Sequence, residues 1–342
     1  MRLNGEPEKN KGYRAYIITP ACLFALIIAM VLAVCIGKYA VTPSESLGIL
    51  FGMGNGVSEM TRNVVMELRV PRILASVLVG AALSMSGAVY QGVFKNPLVS
   101  PDYLGISSGA SIGAAAGILL SLSTALISMY AFAGGVAAML LTMSIPALLR
   151  NNSNIMLVLA GVIVSSLMSS VLGFIKYLAD PNTQLASIVY WTMGSFAYVT
   201  LRELLTILPV VAVPALVLTL ISWWIDVLSM GETEARALGA NVGLVRTIAL
   251  GCATLMTAGA VCLAGNIGWV GLIVPHFARL TVGPSNRRLL PLTAVLGGLF
   301  MLLVDSLTRT IGVTEMPVSI LTGVIGAPFY CWLLYRQRKS LL

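Results

Sequence analysis

The chain has 342 residues, of which 58% are apolar and only 10% charged, and its mean hydropathy is +0.92. A water-soluble domain carries about 25% charged residues, so this composition excludes an ordinary soluble protein. The formal net charge of +8 and pI near 9.4 need no nucleic-acid partner, because the anionic lipid of one bilayer face attracts the same charge.

At about 20 residues per crossing, ten apolar windows are predicted as transmembrane helices: 17–36, 73–94, 104–122, 127–148, 155–178, 204–225, 244–264, 269–282, 289–304 and 318–334. The expected fold is all-α, a single polytopic transmembrane domain over 1–342. The first window contains Leu32-Ala-Val-Cys35, a faint match to a lipoprotein cleavage box, but Val34 stands where a small residue is wanted, so the window reads as an uncleaved helix. The third opens with Gly105, Gly109, Gly113 and Gly117, one small residue per turn. Each Gly costs roughly 1 kcal/mol against Ala in a soluble helix, whereas in lipid such a stripe lets backbones touch, so these four are read as helix-packing residues. The eighth window is short and holds Pro275, His276 and Arg279, which suggests a broken crossing or half-helix lined by protein.

Ten crossings put both termini on one side. With the N-terminus inside, the inner segments carry twice as many Lys and Arg as the outer ones, which predicts cytoplasmic termini and a cytoplasmic N-terminal segment 1–16. Gly87-Ala-Val in the second window returns as Gly259-Ala-Val in the seventh, and Leu159-Ala-Gly-Val-Ile in the fifth returns as Leu321-Thr-Gly-Val-Ile in the tenth. Spans 2–5 would then repeat as spans 7–10 with inverted topology, a pattern typical of transporters.

The longest inner loop, 226–243, contains Ser229-Met-Gly-Glu232, which fits a capping box, and the stop residue Gly239. This predicts a two-turn helix with Glu232 and Arg236 paired at i,i+4. Ala235 and Leu238 would form an apolar face too small to bury within the loop, suited either to a second protein or to the membrane surface.

Cys22, Cys35, Cys252, Cys262 and Cys331 all lie in apolar windows without metal-ligand spacing and read as packing residues. Met156, Met168 and Met193 read the same way, with haem ligation as the sharper alternative. His276 is the sole histidine and has no acid near it in sequence, so neither a metal site nor a serine nucleophile with its base is evident; no cofactor is expected. Asp305 precedes Arg309 by four residues, which favours a local ion pair over the proton relay that a proton-coupled secondary transporter would need.

Leu68-Arg-Val-Pro-Arg72, Gly87-Ala-Val-Tyr-Gln91, Asn96-Pro-Leu98, Leu104-Gly-Ile-Ser-Ser-Gly109, Glu234-Ala-Arg-Ala-Leu-Gly239, Gly271-Leu-Ile-Val-Pro-His276 and Gly326-Ala-Pro-Phe329 occur in this order over about 260 residues. Together they resemble the FecCD-type permease subunits of bacterial ABC importers for iron-siderophore complexes, haem and cobalamin. The resemblance implies a homodimer, or a pseudo-symmetric heterodimer, in a bacterial plasma (inner) membrane, with two cytoplasmic ATPase subunits and an extracytoplasmic substrate-binding protein. The chain itself lacks a Gly-x-x-x-x-Gly-Lys-Ser/Thr phosphate loop, as a non-enzymatic subunit of such an assembly would. By resemblance, Glu232, Ala235, Arg236, Leu238 and Gly239 couple to the ATPase. Arg69, Arg72 and Arg309 meet acidic residues of the binding protein, and Asn96 and Leu98 form a cytoplasmic gate. Ferric siderophore is the first substrate expectation, with haem and cobalamin as alternatives.

Overall fold

The structure, a computed structural model, describes residues 8–53, 57–150, 153–311 and 315–341. Residues 1–7 of the predicted N-terminal segment lie outside them, and its remainder already belongs to a helix. In chain order the elements are α1 (Glu8–Cys35), α2 (Pro43–Leu50), α3 (Glu59–Asn63), a π-helical turn (Val64–Arg69) and α4 (Val70–Val93). A 3-10 turn (Pro101–Leu104) leads into α5 (Ile106–Leu119), α6 (Thr124–Leu148), α7 (Asn154–Leu178), α8 (Gln184–Met193) and α9 (Leu201–Leu220). The chain ends with α10 (Ser222–Met230), α11 (Glu232–Ala237), α12 (Val242–Ala264), α13 (Val270–Val282), α14 (Asn286–Thr308) and α15 (Val318–Leu341).

Among the described residues, seven helices are long and apolar enough to cross a membrane: those containing 15–35, 59–93, 124–148, 155–178, 201–220, 242–264 and 286–308. The other three apolar windows fall on the shorter helices Ile106–Leu119, Val270–Val282 and Val318–Trp332. This is an all-α, multi-pass membrane protein. Helix α5 is short because Ser100 Oγ accepts from the Asp102 amide to start the 3-10 turn, and Gly105, at φ 76°, then breaks the backbone before Ile106. A capping box at Thr200 and Glu203 fixes the start of α9. Helix α8 lies between the predicted fifth and sixth windows, in a stretch that the apolar windows leave as a connection.

Helix α4 is the centre of the bundle, packed against α12, α13 and α14. Its inner faces are small: a Cβ on Gly80 would overlap the Gly297 carbonyl, and one on Gly87 would overlap the Gly271 carbonyl, so backbone lies on backbone at both crossings. Hydroxyls join the helices where lipid offers no water. Ser84 Oγ donates to the Thr293 carbonyl at 2.8 Å, Ser86 Oγ to the Ala253 carbonyl at 2.9 Å, and Tyr90 and Thr254 hydroxyls bond at 2.8 Å. In membranes such bonds contribute roughly 0.6–2 kcal/mol each.

One local expectation changes. Ser229 does not cap a helix. It sits inside α10 and donates to the Asp226 carbonyl at 2.6 Å, while Gly231 occupies the N-cap position of α11. The predicted loop 226–243 therefore begins as helix. Arg279 lies within α13, as its place in the eighth window implies, and donates to Gln91 Oε1 of α4; Gln91 Nε2 in turn donates to the Gly271 carbonyl at 3.2 Å. A buried amide acceptor on the neighbouring helix makes that position tolerable.

Candidate functional site

Helix α11 stands at one end of the bundle, held from two sides. Glu232 pairs with Arg246 of α12, not with Arg236, and that bond holds its carboxyl below the usual range. Just upstream, Asp226 Oδ1 accepts from the Asn286 amide and side-chain nitrogen, both at 2.7 Å, and its Oδ2 accepts from Ser285 Oγ at 2.9 Å. One carboxylate thereby ties α10 to the N-terminus of α14, where it also meets the positive end of the helix dipole. Neither Asp226 nor Arg246 was singled out from sequence, because their partners are distant in the chain and follow no helical period.

Most of α11 and its stop is exposed, and the buried exception is Ala235. Ala235 is fully buried against the chain itself, contrary to its reading as part of an open apolar face, whereas Arg236 and Gly239 are exposed and Leu238 is 58% exposed. Gly239, at φ 84°, donates its amide to the Arg236 carbonyl, and the Ala240 amide reaches back to Ala235. This is a left-handed helix stop of the kind that glycine makes without strain. Close by, α4 ends in the Asn96-Pro-Leu turn. Asn96 is exposed and its Oδ1 accepts from the Leu98 amide at 2.9 Å, and Leu98 is half-buried.

At the opposite end the three arginines are not free. Arg69, Arg72 and Arg309 are only 5%, 7% and 6% exposed. Arg72 makes a fork to Asp305, with Nε and Nη2 each 2.9 Å from Oδ1, and its Nη1 lies 2.8 Å from both oxygens of Glu315. Arg309 Nε lies 3.3 Å from Asp305 Oδ2, and its Nη1 donates to the Ile36 carbonyl at 3.1 Å. Arg69 donates to the carbonyls of Val34, at 2.5 Å, and Tyr39. The cluster joins α1, α4 and α14 and reaches the segment before α15; Tyr190 of α8 adds a 2.9 Å bond to the Glu315 carbonyl. Asp305 thus has the local partner expected from its spacing and a second one that the spacing did not reveal.

The glycine stripe lies on two neighbours. Added Cβ atoms on Gly109 and Gly113 would strike the backbone of Gly134 and Tyr130 on α6, Gly117 faces Ile127 at 3.2 Å, and Gly105 instead faces Val164 and Ser165 of α7 at 3.3 Å. A cavity of about 800 Å³ opens at the arginine end, with Ile127, Ser128, Tyr190, Trp191, Tyr198 and Glu203 among its walls. His276 sits edge-on to Phe329, ring centres 6.1 Å apart. Among the described residues no three His, Cys, Asp or Glu side chains converge on a metal-sized site.

The arrangement offers an exposed short helix at one end, an ion-paired cluster at the other and close-packed helices between. A family model described as the FecCD transport family matches residues 25–336. The chain belongs to the FecCD transport family. FecCD permeases are non-catalytic transport subunits, and this chain is the permease subunit of an ABC-type importer. It is 36% identical over 329 residues to the molybdate import system permease protein MolB of Haemophilus influenzae, covering 94% of this chain and 97% of that one. It is 40% identical over 275 residues to the "Probable iron chelatin transport system permease protein" of Helicobacter pylori strain 26695, covering 80% and 83%. A chain solved in an inward-facing conformation, from an ABC transporter described as of the metal-chelate type, superposes with a TM-score of 0.83 at 34% identity, covering 93% of this FecCD chain and 99% of its own.

Proposed function

We propose that the chain moves a metal chelate, ferric siderophore before haem or cobalamin, from an external binding protein to the cytoplasm of a bacterial cell by alternating access. Two copies, or this chain with a pseudo-symmetric partner, would surround the pathway. Each copy would contribute ten crossings, with spans 2–5 repeated in inverted sense as spans 7–10, counting α5, α13 and α15 as short spans, with both termini on the cytoplasmic side. The observation that carries this reading is α11: six residues long, tied to α12 through Glu232–Arg246 and joined directly to α10, which Asp226–Asn286 ties to α14, yet presenting Arg236 and Leu238 outward. A helix held that firmly transmits a push. An ATPase subunit docked on it would shift α12 and α14 together on ATP closure, and would do work to the extent that it binds one state more tightly.

The binding protein would dock at the arginine end, where the arginines would meet it only by exchanging internal acceptors. Glu315, with a side chain 37% exposed, is the acceptor most open to replacement. The Asn96-Pro-Leu turn, close to α11, serves in this reading as the cytoplasmic gate. The test is co-expression with ATPase and binding protein and assay of uptake into vesicles loaded with ATP, offering ferric siderophore, haem, cobalamin and molybdate separately. ATP- and binding-protein-dependent uptake of one chelate supports the reading. Uptake driven by a proton gradient without an ATPase overturns it.

A further inference from the structure

We infer that Asp102 lines the transport pathway inside the membrane and sets its charge preference, favouring neutral or cationic complexes over oxyanions; this rests on the importer reading above. The turn Pro101–Leu104 is not at a membrane surface. The Tyr103 carbonyl lies against Gly161 of α7, and Gly105 lies against Ser165, which stands about 16 Å along α7 from Asn154 at ~1.5 Å per residue. The Leu104 carbonyl accepts from Thr142, well inside α6. Non-helical backbone therefore sits at membrane depth, and it carries an exposed carboxylate and the exposed ring of Tyr103.

Lipid does not tolerate that combination. Irregular backbone and ionisable side chains at this depth face protein or a water-filled passage. The adjoining surface of α7 carries hydroxyls: Ser166, Ser169 and Ser170 are exposed on the same helix. Asp102, Tyr103, Val162, Ser165 and Ser166 together border an open hollow of about 260 Å³. The face is thus the wall of an aqueous pathway, with a second copy of the chain beyond it.

The Asp102 carboxylate is held as an acceptor. Ser100 Oγ donates to its Oδ2 at 3.0 Å and Ser107 Oγ to its Oδ1, and no ion pair among the described residues includes it. Its negative charge is therefore uncompensated at close range and acts on whatever passes.

The experiment uses the chain stripped of its five cysteines, carrying Ser166→Cys and assembled with its ATPase in liposomes. A cationic and an anionic methanethiosulfonate of similar size are reacted with the new thiol. Labelling should occur, and Asp102→Asn should lower the cation-to-anion rate ratio by roughly fivefold, as expected for one unit charge about 8 Å away in water. Asp102→Glu should restore the ratio, separating charge from any disturbance of the turn. A Ser166→Cys thiol that stays unreactive beside a reactive Tyr198→Cys control, or a ratio unchanged by Asp102→Asn, overturns the inference. Failure of the chain to assemble with an ATPase would instead remove the importer reading, and the ratio would still be measured on the chain alone.

Discussion

Arg72 of α4 and Asp305 of α14 meet at 2.9 Å across 233 residues of sequence, with Asp305 fully buried. Removing one partner of such a pair leaves an uncompensated charge, at a cost of about 3–5 kcal/mol. Asp305→Ala should therefore lower the unfolding temperature in detergent sharply. Arg72→Ala combined with it should cost less than the sum of the two, a coupling of roughly 0.5–3 kcal/mol. Independent effects would show that the pair is not a unit.

Glu315 occupies the outer side of Arg72 and is the half-exposed member of the cluster. Glu315→Gln should leave the fold intact and free one edge of the guanidinium for an acidic partner. Binding-protein affinity should rise a few-fold, with a steeper loss on adding salt, measured by titration at two ionic strengths. Unchanged affinity and salt slope would mean that Arg72 never reaches the partner.

Leu238 and Ala235 sit three residues apart on α11 and its stop but differ in exposure, 58% against 0%. Leu238→Asp should preserve membrane insertion and dimerisation while lowering coupled uptake by roughly tenfold or more, the worth of one buried leucine contact. Ala235→Asp should instead destabilise α11 itself. Uptake unaffected by Leu238→Asp would remove α11 as the coupling element.

The Glu232–Arg246 bond lowers the Glu232 pKa from 4.5. A depressed carboxylate contributes stability that is fully present above its unfolded value and is lost as pH falls through the lower folded value. Amide exchange in α11, corrected for intrinsic rates, should accelerate below about pH 4.5 in the native chain. Glu232→Gln should exchange faster at neutral pH and lose that dependence.

Gly113 and Gly117 both face α6, yet a Cβ at Gly113 would strike the Tyr130 backbone, whereas one at Gly117 comes no closer than 3.2 Å to Ile127. Gly113→Ala should cost about 1–3 kcal/mol through overpacking. Gly117→Ala should be close to neutral. Equal thermal stabilities would show that α5 and α6 part easily.

Much of this protein is written in local text. Low charge and long apolar windows determine a multi-pass helical membrane protein, because a bilayer admits little else, and Gly239 marks a helix stop because its left-handed backbone is local. The spacing of Asp305 and Arg309 likewise shows a pair on one helix face. What the sequence could not decide is which distant groups come together. The resemblance set Arg69 and Arg72 against a partner protein, and helical period, which speaks only for neighbours three or four residues apart, gave Glu232 to Arg236. Tertiary packing assigned Arg72 to Asp305 and Glu315, Glu232 to Arg246, and Asp226 to the start of α14. Buried charges in a low-dielectric interior take the nearest partner in space, and that partner is chosen by how the helices cross.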